Sequence, residues 1–108
     1  MYTCIMNEQN KRQLHLDEII KLLELIKSKI TGQTDVVWTR FESPAAAIAD
    51  IEADITRLAN GDDSSLANLA VNFAPTGAFQ EISISNGWGE EFLAIAAAYD
   101  KATDKLKK

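Results

Sequence analysis

Apolar residues between Leu14 and Ile30 recur with helical spacing: Leu16, Ile19, Ile20, Leu23, Ile26 and Ile30 fall on one face. That period predicts an α-helix, and Thr31-Gly32 offers its stop. Leu22 and Leu25 widen the apolar face beyond the stripe of a one-sided surface helix, while Lys21, Glu24, Lys27 and Lys29 stay polar. So wide a face calls for burial on more than one side, either across a sheet and against a neighbouring helix, or in a dimer contact.

The period then shortens to two. In DVVWTRF, residues 35–41, Val37, Thr39 and Phe41 alternate with Val36, Trp38 and Arg40, and the β-branched and aromatic content predicts a strand. Ser43-Pro44 opens a second helix, with Ser43 placed to cap free amides and Pro44 at the first helical position, where its missing N–H costs nothing. Ile48, Ile51, Ile55 and Leu58 carry that helix to about Leu58, and Asn60-Gly61 ends it with residues tolerant of left-handed backbone. The stretch SSLANLAVNF, residues 64–73, fits both periods. Asp62, Asp63 and Ser64 as caps, with Ala67 and Ala70 inside, favour a short helix. A turn at Ala74-Pro75-Thr76-Gly77 follows.

FQEISIS, residues 79–85, alternates again: Ile82 and Ile84 share a face with Gln80, while Glu81, Ser83 and Ser85 share the other, as in a strand with one covered side. Asn86-Gly87 breaks it. Trp88, Phe92, Ile95, Ala96, Tyr99 and Ala102 then resume helical spacing, with Glu90 and Glu91 at the positive end of the helix dipole and Lys101, Lys105, Lys107 and Lys108 near the negative end. Met1 to Met6 reads as a weak first strand or a frayed start, with residues up to 13 as the loop behind it.

These elements predict one α+β domain over residues 1–108, with α/β as the alternative. It is a single-layer sheet of two or three strands covered by three or four helices, in the order (β)-α-β-α-α-β-α. That order is similar to the order in barstar-type inhibitors, a resemblance of inferred order with no shared motif.

Composition narrows the function classes. A chain of 108 residues with 46% hydrophobic and 25% charged residues is ordinary for a soluble globular domain. Its formal charge of -5 argues against a nucleic-acid binder, whose affinity rests on a basic face, and would steer a basic protein partner toward it. Such acidity is also common in bacterial and cytosolic proteins that need it only for solubility. The single cysteine, Cys4, makes no intramolecular disulfide, so a reducing cytoplasm is the expected compartment. MYTCIM lacks the basic flank and cleavage site of a signal peptide, and no apolar run reaches the ~20 residues that span a bilayer.

Candidate chemistry is sparse. His15, the only histidine, has no cysteine or carboxylate pair at ligand spacing, and Cys4 has no local base. Asp50, Glu52 and Asp54 suggest a carboxylate cluster, but only Asp50 and Asp54 share a helix face, and Arg57 makes a solvated salt-bridged surface the ordinary reading. NGWG matches no phosphate loop, and Glu90 and Glu91 behind it would repel an anion. No cofactor or metal is implied. The candidate interaction surface is therefore Asn86, Gly87, Trp88 and Gly89, with Trp38 and Arg40 on the first strand, because Trp and Arg dominate interface hot spots. Three readings follow: a non-enzymatic protein-interaction or regulatory module favouring a basic partner, a small-ligand-binding or enzyme-accessory domain, and a structural homodimer.

Overall fold

A computed structural model describes residues 8–106 apart from 38, 40 and 76, with side chains from Lys11 onward. Among these described residues five helices follow one another: α1 Glu8–Lys29, α2 Pro44–Ala59, α3 Leu66–Phe73, α4 Ala78–Ser85 and α5 Gly89–Leu106. The described residues contain no strand, so the expected α+β sheet, and the α/β alternative with it, gives way to an all-helical bundle. The barstar-like order lapses with the strands. The weak strand at Met1 to Met6 lies outside the described residues, as do Trp38 and Arg40.

α1 is the spine. It starts at Glu8, well ahead of Leu14, and spans about 33 Å at 1.5 Å per residue. Leu16, Ile19, Leu23 and Ile26 are buried along it, with Ile30 just past its end, and its wide face is explained by packing on two helices, α2 and α5, rather than on a sheet. α2 supplies Ala47, Ile51 and Leu58 to that core, with the buried Asp54 completing the spacing of three and four, and α5 supplies Phe92, Ile95, Tyr99 and Ala102 at the same spacing. Ser43 caps α2 as expected, its Oγ accepting the Ala46 amide at 3.1 Å. Salt bridges sew the outer edges, Lys27 to Glu52 of α2 at 3.6 Å and Lys105 to Glu18 at 3.5 Å. The radius of gyration, 14.7 Å, exceeds the about 13 Å typical of this chain length, as suits a long spine with shorter helices laid along it.

The two predicted strands fail for different reasons. Residues 35–41 have strand composition, but their described residues pair with no strand, and in and just ahead of this stretch nearby hydroxyls and a carboxylate take up backbone amides instead. Thr34 Oγ1 accepts the Thr31 amide at 2.8 Å, Asp35 Oδ1 the Val37 amide at 3.0 Å, and Thr39 Oγ1 the Phe41 amide at 3.1 Å. Short polar side chains of this kind compete with regular structure for the same donors. Val36 turns inward while Val37 stays exposed. Residues 79–85 form α4, which buries Phe79, Ile82 and Ser83, the i, i+3, i+4 set of a helix, and exposes Ile84. The alternation was a coincidence of parity, and it had already left Phe79 and Ile82 on opposite faces.

α4 ends in a Schellman motif. Asn86 is the cap, Gly87 adopts φ 84°, the Trp88 amide reaches the Ser83 carbonyl at 2.9 Å and the Gly87 amide the Ile84 carbonyl at 3.5 Å. α2 ends in the same way: Gly61 has φ 77°, and the Asp62 and Gly61 amides reach the Arg57 and Leu58 carbonyls at 2.9 and 3.0 Å. Both Asn-Gly pairs in the chain are thus helix stops.

Candidate functional site

The residues 86–89 singled out from the sequence are brought together at the α4–α5 corner. Asn86 clamps the 31–37 loop to α4: its Oδ1 accepts the Asp35 amide at 2.9 Å, and its Nδ2 donates to the carbonyls of Asp35 and Ile82 at 3.0 and 2.7 Å. Trp88 is only 7% exposed and meets Phe92 edge-on at 6.5 Å between ring centroids. Its carbonyl accepts the Phe92 amide at 3.0 Å, so one residue closes the α4 cap and opens α5. Lys29 Nζ lies 5.6 Å from the indole centroid and pairs with Glu91, tying the end of α1 over the corner. A depression of about 460 Å³ remains between Ile84, Gly87 and the first turn of α5, bordered by Glu90 and Glu91.

The other candidates disperse. His15 Nδ1 lies 2.8 Å from Glu18 Oε1 on the same helix. That bond holds the Glu18 carboxyl below its ordinary range, with Lys105 assisting. Asp54, expected on a solvated face, is buried and receives a bond from Arg57 at 3.1 Å, while Glu52 turns to Lys27. No group of three or more potential metal-ligating side chains converges among the described residues.

A larger feature lies between α3 and α5. Phe73 stacks on Tyr99 with ring centroids 4.1 Å apart and on Phe92 at 6.2 Å, and meets Phe79 edge-on at 5.0 Å. These rings fix the C-terminal end of α3 against α5. Its other end is propped by the last turn of α2 and the connection after it: Arg57 Nη1 donates to the Ser65 hydroxyl at 3.4 Å, and Asp62 Oδ1 accepts the Ser64 amide at 2.9 Å. The latter bond also holds the Asp62 carboxyl below its usual range. Across the gap, the Tyr99 hydroxyl donates to the Leu66 carbonyl at 3.4 Å, and burial, with Asp100 alongside, pushes the phenol up to about 12.

The result is an open groove of about 610 Å³, floored by Phe73 and Tyr99 and walled by Leu66, Ala67, Ala70 and Leu106. A second hollow of about 250 Å³ continues along α5 past Ala96 to Leu93, sharing Phe73, Pro75 and Asp100 with the first. Val71 stands beside it 64% exposed and Leu93 60% exposed. Arg12, at the mouth, is paired with Asp63. From Ser64 to Gln80 the chain carries no charged residue, so the α3 wall is neutral throughout, in a protein where one residue in four is charged. That uncharged run was the sequence signal for this site. A search for reactive side chains passes over it.

No family model matches the chain, and neither the curated proteins nor the solved structures yield a match. No helix of the described residues is long and apolar enough to cross a membrane.

Proposed function

We propose that this chain is a protein-interaction module that receives a helical segment of a partner in the groove between α3 and α5. The observation that carries the reading is the exposed, uncharged outer face of α3, with Ala67, Ala70 and Val71, opening onto apolar hollows that run on along α5. Small residues on α3 let a partner backbone approach closely, above a rigid floor of the buried Phe73 and Tyr99 rings, and the exposed Ala67, Ala70, Val71 and Leu93 supply the apolar surface on which an amphipathic helix gains its affinity. The groove volume also suits a small apolar ligand. Val71, exposed beyond the residues that line either hollow, and Leu93, exposed at the far end of the second, favour an extended occupant.

Selection of helical peptides from a displayed library, with counter-selection on Ala70→Arg, tests this. The expected winners carry apolar residues at i, i+3, i+4 and i+7, and lose on the order of thirtyfold in affinity on Ala70→Arg, the ~2 kcal/mol of a central contact. Peptides without that stripe, or equal binding to the Ala70→Arg protein, refute the reading.

A further inference from the structure

We infer that the groove selects basic amphipathic helices and that Asp100 is the residue that reads the charge, an inference that rests on the groove reading above. Asp100 lies where the two hollows meet, midway along the strip of α5 from Leu93 to Leu106. At 1.5 Å per residue that strip is about 20 Å long, room for a docked helix of roughly 14 residues whose centre passes the carboxylate.

Three features leave that carboxylate unopposed among the described residues. Asp100 makes no ion pair with another described residue. The facing α3 wall has no charge from Ser64 to Gln80. Arg12, the cation that lines the groove, is engaged by Asp63. Asp104, exposed one turn further along α5, adds to the same field, whereas Lys101 projects about 100° round the helix and Lys105 pairs with Glu18 of α1.

A helix laid in the groove removes water from Asp100. If it brings a Lys or Arg at the border of its apolar stripe, the carboxylate gains a charge-assisted partner. If it brings a neutral or acidic residue, the carboxylate loses hydration with nothing in return. The discrimination comes from both effects, and the net charge of -5 adds attraction at longer range.

The test uses two designed 14-residue peptides with one leucine stripe, flanked by Lys in the first and Glu in the second, and measures binding to the full chain by fluorescence anisotropy. The Lys peptide should bind on the order of tenfold more tightly, with affinity falling as salt rises. Asp100→Asn should weaken the Lys peptide about fivefold and narrow the gap between the two peptides. Glu52→Gln, the same charge change on α2, should leave it unchanged. Equal binding of both peptides overturns the charge selection and leaves the groove intact. Failure of both to bind overturns the groove reading itself. Asp100→Asn without effect, or Glu52→Gln with an equal effect, overturns the assignment to Asp100. So does tight binding of a Lys peptide that has alanines in place of the leucines. Self-association that masks the groove, seen as a dimer mass by light scattering, overturns the choice of a foreign helix.

Discussion

Ser83 and Ile84 are adjacent, and the helical and extended readings of residues 79–85 assign them opposite fates. In α4 Ser83 is fully buried, its hydroxyl returned to the Gln80 carbonyl at 2.7 Å, and Ile84 is 61% exposed. In a strand, Ile84 would join Ile82 in the core and Ser83 would face water with Glu81 and Ser85. Substituting Ser83→Glu in the helical structure places a longer, charged side chain in a closed interior. Overpacking alone costs about 1–3 kcal/mol, and an unpaired buried charge adds several more. Against a total stability of about 5–15 kcal/mol the variant should be largely unfolded or shifted far down in urea. Ile84→Gln puts at stake less than half of the roughly 1.5–3 kcal/mol that full burial of an isoleucine supplies, and better helix propensity recovers a few tenths, leaving about 0.5–1 kcal/mol. Urea unfolding followed by circular dichroism at 222 nm measures both. A near-neutral Ser83→Glu together with an Ile84→Gln costing about 2 kcal/mol or more would refute the helical assignment and restore the strand.

Two further outcomes probe the groove's supports. Gly77 has no positive φ, yet a Cβ there would collide with the Val71 carbonyl oxygen and stand 2.8 and 2.9 Å from those of Asn72 and Ala74, so Gly77→Ala must move the backbone between α3 and α4. It should cost about 3 kcal/mol and lower Tm by on the order of 10 °C or more, while Gly32→Ala, which meets open space, should change Tm by a few degrees at most. Tyr99 titrates near 12 in the fold against about 10 unfolded, so the fold prefers the neutral phenol; its contribution is complete below pH 10 and is lost as pH rises through 12. Wild type should lose about 2 kcal/mol more than Tyr99→Phe between pH 10 and 12, and equal losses of unfolding free energy for the two proteins in urea titrations at the two pH values would contradict a buried phenol.

The helices over 44–58, 66–73 and 88–102 were legible because their apolar period, their caps and their stops agree. Residues 79–85 had the same stop signal as α2. Asn60-Gly61 reads as a helix end and Asn86-Gly87 as a strand break only because the alternation of FQEISIS outweighed it, although Phe79 and Ile82, the two largest buried residues there, obey the helical spacing alone. The short length of α4 makes this ambiguity intrinsic, since its eight residues hold barely two helical turns, too few for the helical period to stand out against an alternation of two. Residues 35–41 mislead differently. Strand propensity reports fitness for a half-buried pleated surface, and with no strand among the described residues to pair with, the side chains of Thr31, Thr34, Asp35 and Thr39 instead accept the amides of Gln33, Thr31, Val37 and Phe41.

The corner at Asn86 to Gly89 carries two glycines and a tryptophan because it serves two helices at once. Gly87 takes the left-handed turn that ends α4, Trp88 fills the space beneath α5, and Asn86 spends its amide on a loop fifty-one residues away in sequence. A sequence signal for this corner was strong because several local requirements coincide there. The groove is the reverse case: Leu66 and Tyr99 meet across thirty-three residues, and each wall alone is an unremarked stretch of alanines and one aromatic. Phe73 joins the two. The ring that stacks on Tyr99 to fix α3 also forms the groove floor, so stability and recognition draw on one side chain there. A Phe73→Leu chain that still folds should therefore bind helices more weakly through a displaced α3 even though Ala67, Ala70 and Asp100 are untouched, which separates a site built by packing from one built by its exposed residues.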